Sequence, residues 1–338
     1  MARLDRMQFD QLKRRAFITL LGGAAAAWPL AARAQRPAIP AIGYLNTRTA
    51  GEDGHLLAAF HQGLKETGYF ESRNVKIEYR WAEGRNDRLP ALAADLVRRQ
   101  VAVIAAGGIP ATNAAKAATA TTPIVFVTGA DPVEIGLVAS LNRPGGNLTG
   151  ITTLTSVVAQ KKLELLHDLL PTATVIALLI NPANPILAET NRRDLQAAAR
   201  TLGLQIHVLR ASSEREFEPP FATLVQQRAG ALVIGTDAFF NSRSRHLAAL
   251  AARHAMPSIS QFRGFAVAGS LMSYGATNTD EYHLVGVYTG RNLKGEKPAD
   301  LPVQQATKAD LIINLKTAKA LGIEVPMVLL ARADEVIE

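Results

Sequence analysis

From Pro40 onward, short apolar runs alternate with segments of helical period, and Gly, Pro, Asn or Asp stands at nearly every junction. The runs AIGYLN (41–46), VKIEYRWA (75–82), VAVIAAG (101–107), PIVFVTG (123–129) and LTGITT (148–153) predict strands, with helices near 55–67, 89–99, 112–119 and 132–141 between them. After about Ser156 the alternation starts afresh. The runs TVIALLIN (174–181), LQIHVLRA (204–211), ALVIGTD (231–237), PSISQ (257–261) and GSLMSYG (269–275) predict a second set of strands, with helices near 160–169, 184–202, 217–228 and 242–255. Strand and helix alternating at this spacing build parallel sheets with right-handed crossovers, an α/β architecture of two similar units. After Tyr274 come a further helical segment, DEYHLVGVYTGRNLKG, the Pro-containing connection EKPADLPV, and LIINLKTAKALG. A chain with both sheets complete must then return to one or both lobes, and several crossings between two lobes make a hinge.

With 338 residues and 48% hydrophobic content, the chain supports two cored domains, because single cores usually stop growing at smaller size. Aromatic residues are only 6%, so Ala, Leu and Val carry the apolar mass, as suits helices packed on parallel sheets. The net charge of +8 is half explained by the first 34 residues, where Arg3, Arg6, Lys13, Arg14, Arg15 and Arg33 outweigh Asp5 and Asp10. The remaining basic residues are scattered, so no nucleic-acid partner is expected. Cysteine is absent, which removes disulfides, thiolate metal sites, cysteine nucleophiles and a lipid-modified N-terminal cysteine from consideration. The histidines never fall at the spacing of a helical zinc pair, and neither a metal nor a cofactor is expected.

The segment KRRAFITLLGGAAAAWPLAARAQ has a basic start, an apolar stretch and Ala32 and Ala34 flanking Arg33, the layout of a signal peptide over 1–34. Arg14 and Arg15 followed by Ala16, Phe17 and Ile18 resemble a twin-arginine export signal, while Lys13 and Thr19 depart from its commonest flanking residues and leave the general export route open. Its glycines, alanines and Pro29 are too weakly apolar for a stable membrane span. A soluble periplasmic protein without a lipid anchor is expected.

Open parallel sheets bind ligands beyond the carboxyl ends of their strands. Junctions there carry the candidate site residues: Asn46, Thr112 in GGIPATN, Thr128 and Asp131 in VTGADPVE, Asn184, Asp237 and Phe239 in GTDAFFN, and Tyr274 at the end of GSLMSYG. Gly107 and Gly108 allow close backbone approach, and helix N-termini there suit an anion. Each has an ordinary alternative: Thr112, Thr128, Asp131 and Asp237 as helix caps, Asn46 and Asn184 as turn residues. Phe239 and Phe240 are adjacent rings, of which at least one is expected to face a cleft. No G-x-S-x-G elbow, Walker loop, G-x-G-x-x-G fingerprint or HExxH motif is present in a suitable context. Asp237, Ser242 and His246 share one junction, but proximity in sequence does not make a triad, and no catalytic residue is expected.

The runs GADPVEIGLVASLNRPGGNLTGI, FFNSRSRHLAALAARHAMPSI, AGSLMSYG and GVYTGRNLKGEKPADLPVQQATKADLIINLKTAKALGIEVP together resemble the bacterial ABC-transporter substrate-binding proteins of the tryptophan-binding-protein-like family. The resemblance covers the chain from about Ile42 onward. It implies a type I periplasmic-binding-protein fold: two Rossmann-like lobes joined by three hinge crossings, near 153–159, 275–279 and 301–304. The first lobe would hold 40–153 and 278–302, the second 157–276 and 303–338. It also implies a small ligand enclosed between lobes, an amino acid or related carboxylate, for delivery to an ABC permease by a monomer. In relatives of this fold a second-lobe acid meets the ligand's ammonium while first-lobe amides and hydroxyls hold its carboxylate. Asp237 fits the former role, Thr112 and Thr128 the latter, and Phe239 an apolar wall. The competing readings are an exported ligand-sensing module and a secreted α/β enzyme.

Overall fold

The computed structural model describes residues 39–338 apart from Asp53, Leu154 and Thr307. The expected signal segment, 1–34, lies outside the described residues.

The first lobe is built on β1 (Ala41–Asn46), α1 (Gly54–Glu66), β2 (Lys76–Trp81), α2 (Leu89–Arg98), β3 (Val103–Gly107), α3 (Ile109–Ala118), β4 (Ile124–Thr128) and β5 (Leu148–Thr153). The second follows with α4 (Thr155–Leu169), β6 (Val175–Ile180), α5 (Pro185–Leu202), β7 (Gln205–Arg210), α6 (Glu218–Gln226), β8 (Ala231–Ile234), α7 (Ala238–Ser242), α8 (Ser244–Arg253), β9 (Ser258–Ser260), α9 (Arg263–Ala268) and β10 (Met272–Gly275). The return consists of α10 (Asn278–Leu293), β11 (Gln304–Ala306), β12 (Asp310–Asn314), α11 (Leu315–Ala320), α12 (Met327–Leu330) and β13 (Glu335–Ile337).

One sheet has the order β11-β5-β4-β3-β1-β2 and is parallel throughout; the other runs β13-β12-β10-β9-β8-β6-β7, with only β10 and β12 antiparallel. The central strands β3, β4 and β8 are buried at every position, because helices cover both faces and each alternate side chain meets a core. Edge strands β2 and β7 begin on an exposed residue and keep Lys76, Glu78, Arg80, Gln205 and Arg210. Four apolar clusters result, one on each face of each sheet.

Several expectations shift on contact with the structure. The helix expected over 132–141 is instead a single turn: Leu137 N–H reaches Pro132 O, but Gly136 lies at φ 70, so the chain turns out of the helical path. The helix expected over 242–255 forms as Ser244–Arg253, and an unexpected short helix, Ala238–Ser242, precedes it, the two separated at Arg243, whose φ and ψ of −110 and 19 leave the helical well. The third crossing was expected at 301–304, but Gln304, Gln305 and Ala306 pair with Ile151, Thr152 and Thr153, so the chain stays in the first sheet through Ala306. The second-lobe boundary at 303 therefore moves later, past β11.

Helix α10 returns to the first lobe and lies against α1 at near backbone contact. A Cβ at Gly63 would overlap the His283 carbonyl, and one at Gly286 the Phe60 carbonyl. This seating fixes the N-terminal end of α10, from which Asn278, Glu281 and Tyr282 project into the cleft.

Candidate functional site

Each sheet reverses its winding at one place: between β1 and β3 in the first, between β6 and β8 in the second. Loops leaving the carboxyl ends of these strands diverge to opposite sides and open a crevice. The two crevices face each other across one cavity of about 580 Å³. That volume lies within the range of small-molecule sites.

The second-lobe wall centres on Asp237. The carboxylate is buried, and it accepts from Asn181 Nδ2 at 2.9 Å, Asn184 Nδ2 at 3.1 Å and the Phe239 N–H at 2.9 Å. Burial pushes its pKa up, and the donors from Asn181, Asn184 and the Phe239 and Phe240 backbone pull it back down. Asp237 is thus both the cap of α7 and part of the wall. Phe239 faces the cavity while Phe240 is fully buried; the Phe239 ring lies 5.5 Å from that of Phe217, and the Arg243 guanidinium sits 5.9 Å from its centroid.

The first-lobe wall is formed by Thr47, Arg48 and Thr49 after β1, Gly107 to Pro110 after β3, Thr128 and Gly129 after β4, Thr153 at the end of β5, and the start of α10. Among the described residues, three buried side-chain oxygens of this wall have no hydrogen-bond partner: Thr47 Oγ1, Thr49 Oγ1 and Glu281 Oε1. Burial pushes the Glu281 carboxyl up to about 8, against the pull of Arg48 and with a small further push from Asp280.

Of the residues singled out in the sequence, the cavity gathers Thr128, Asn184, Asp237 and Phe239. Asn184 precedes α5 without capping it, because its amide is turned to Asp237. The other four lie off the wall. Asn46 is fully buried behind it, with Oδ1 accepting from Arg48 N–H and Nδ2 donating to the Tyr282 hydroxyl at 3.0 Å, so it holds two wall residues in place. Thr112 sits one turn inside α3, which begins at Ile109, and its hydroxyl donates to Gly108 O at 2.9 Å. Asp131 is exposed and caps its own turn, accepting from Val133 and Glu134 N–H. Tyr274, within β10, packs on the second-lobe core. Sequence reasoning missed Glu281, Arg48, Tyr282 and Asn181. Glu281 and Tyr282 follow a hinge crossing directly, the one local signal that marked them.

Ser242 and His246 engage other groups: the Ser242 hydroxyl donates to Phe239 O at 2.8 Å, and His246 Nδ1 lies 3.6 Å from Glu214. They form no triad with Asp237.

Beside the cavity the lobes touch. Ile109 and Ala130 of the first lobe pack with Leu187 of α5, Arg193 pairs with Glu134, and Asn86 Nδ2 donates to Ala183 O at 3.3 Å. Arg193→Glu reverses one exposed partner of this seam; exposed pairs contribute at most about 1 kcal/mol and like charges repel, so ligand is expected to dissociate roughly three- to tenfold faster, as read by stopped-flow displacement. An unchanged rate shows that the apolar contact alone holds the seam.

Glu281 also sets a pH dependence of stability. The folded state keeps its proton up to about 8, whereas the unfolded chain gives it up near the ordinary glutamate value of 4.5. The folded state binds more protons in that window, so this contribution is fully present below it and is lost as pH rises through it, by roughly 5 kcal/mol. Glu281→Gln is expected to flatten that segment of the pH profile of thermal unfolding; a profile as steep as that of the wild type assigns the slope elsewhere.

Two facing α/β lobes closing on one cavity at their switch points define the type I periplasmic-binding-protein class. The model of the family described as "ABC transporter substrate binding protein" matches residues 55–337, and the chain belongs to that family. Among curated proteins it is 28% identical over 265 residues to a "Tyrosine-binding protein" of Clostridioides difficile (strain R20291), covering 78% of this chain and 76% of that one. Among solved structures, an ABC domain in complex with L-Trp from Streptococcus pneumonia is 26% identical with a TM-score of 0.79, covering 88% of this chain and 99% of that chain. The ligand-free, open structure of a substrate binding protein with adhesive properties from Clostridium difficile is 25% identical over the same shares, with a TM-score of 0.65.

Proposed function

We propose that this chain is the exported solute-binding component of an ABC importer, taking an α-amino acid with an aromatic side chain into its cleft and passing it to a membrane permease. The observation that carries this reading is one cavity that combines buried carboxyl groups of both lobes with the rings of Phe239, Phe262 and Tyr282. A zwitterion with an apolar body complements such a wall, and lobe closure strengthens its polar contacts by excluding water. The relatives that bind tyrosine and L-Trp support the same ligand class. The twin-arginine-like segment supports export to the periplasm, and no helix among the described residues is long and apolar enough to cross a membrane. The protein acts as a monomer and leaves its ligand chemically unchanged, as befits a carrier.

Thermal-shift screening against amino acids, small carboxylates and nucleosides tests this. A ligand at 100 times its Kd adds about 2.7 kcal/mol, a clear rise in Tm. Shifts confined to aromatic amino acids, with the ligand recovered unaltered, are expected. Shifts with nucleosides alone, or conversion of the ligand, would overturn the reading.

A further inference from the structure

We infer that the first-lobe wall, rather than Asp237, receives the ligand's charged head group: the Thr47 and Thr49 hydroxyls donate to its carboxylate, and Glu281 takes its ammonium while releasing a proton to solvent. This deepens the proposed amino-acid capture and rests on it.

Buried polar atoms normally have partners, so those without one mark where a partner is to arrive. On this wall the unpartnered atoms are two hydroxyls and one carboxyl oxygen, the complement of an α-carboxylate beside an α-ammonium. Thr47 is 6% and Glu281 4% exposed, so bulk water does little for them. Asp237, by contrast, already accepts from three protein donors and organises Asn181, Asn184 and the start of α7. Its surroundings are complete before any ligand arrives.

The proton follows from the surroundings of Glu281. Helix α10 packs on α1, β3, β4 and β5. The three strands carry no ionisable residue, and β5 offers only the Thr153 hydroxyl. From α1, His55 has its pKa lowered by burial and, to a lesser degree, by Arg48. Arg48 and Asp280 are the charges that act on Glu281, and burial outweighs both, so near neutral pH the carboxyl is held protonated. An arriving ammonium supplies the missing counter-charge and favours the carboxylate. The O–H bond of Glu281 breaks, its electrons stay on the carboxylate, and the proton leaves to buffer. No covalent bond to the ligand forms.

Isothermal titration of the full mature chain with L-tryptophan and L-tyrosine, in buffers of differing ionisation enthalpy, reads this proton directly. Release of nearly one proton per ligand is expected at about pH 7, vanishing above about pH 9. Indole-3-propionate, which lacks the amine, is expected to release none. Glu281→Gln is expected to bind L-tryptophan at least a hundredfold more weakly and without release; Asp237→Asn should keep the release. Wild-type binding with no net proton at pH 7, or the same release in Glu281→Gln, overturns the inference while leaving amino-acid capture standing. Failure of the wild type to bind either amino acid overturns the capture of aromatic amino acids and this inference with it. The wild-type measurement needs no variant, so a folding defect in Glu281→Gln does not decide the outcome.

Discussion

Asp237→Ala is expected to lower the Tm of the ligand-free protein by roughly 5 to 10 °C, a loss of about 3 kcal/mol. The carboxylate accepts from Asn181 Nδ2, Asn184 Nδ2 and the Phe239 N–H, all in a buried pocket. Alanine leaves two amide groups and the first turn of α7 without acceptors. A lost cap alone costs about 1 kcal/mol, and each buried donor left unpaired adds a similar amount. Against this stands the relief of a buried carboxylate whose pKa burial has raised, which keeps the net below the sum of the parts. The phenylalanine that α7 holds against the cavity, Phe239, loses its anchor at the same time, so affinity should fall by about tenfold even though the head group docks on the other lobe. Asp237→Asn keeps one acceptor oxygen and should show about half the loss in Tm. Differential scanning calorimetry of the three proteins without ligand decides it: a Tm for Asp237→Ala within about 1 °C of wild type would mean that these bonds are replaced by water and that the wall does not depend on this residue.

Much of this wall was legible from local chemistry, and its limits were also local. The run ALVIGTD ends a strand buried on both faces, so an acid and two rings beyond it had to be a cap, a wall or both; the structure shows both, with Phe240 in the core and Phe239 at the cavity. The same reasoning gave Thr128 and Asn184. It misplaced Thr112 because α3 starts three residues earlier, at Ile109, and it put a helix where Gly136 turns the chain. Strands β11 and β13 escaped notice because QQA and EVI are too short to show a period, and β11 lies at an edge with two exposed positions. Glu281 was hidden for a different reason. An acid in the first turn of a helix is the ordinary complement of the helix dipole. Only the fold, by laying α10 across strands with no charge to answer it, converts that unremarkable acid into a buried one. Long-range packing, not residue type, creates the group.

That packing depends on glycines where α10 meets α1, and Gly286→Ala is expected to cost about 3 kcal/mol or more together with most of the ligand affinity. In an exposed helix the same substitution would be favourable by up to about 1 kcal/mol, since alanine has the higher helix propensity. Here the sign reverses. A Cβ at Gly286 would overlap the Phe60 carbonyl and crowd the Leu64 amide, both backbone atoms of α1 that cannot rotate away. Gly63 faces the His283 carbonyl and Gly290 the Thr67 side chain in the same seam, so no neighbouring gap takes up the displacement. Helix α10 must therefore shift off α1, carrying Asn278, Glu281 and Tyr282 away from the cavity and breaking the bond from Asn46 Nδ2 to the Tyr282 hydroxyl. Gly264→Ala in α9 is the matched control: nothing lies within 4 Å of its Cβ, so it should be neutral or slightly stabilising. Thermal unfolding of both variants, followed by titration with L-tryptophan, separates the effects. A Gly286→Ala protein with wild-type Tm and affinity would show that the two helices are free to part, and the cleft would then need another support for its first-lobe carboxyl.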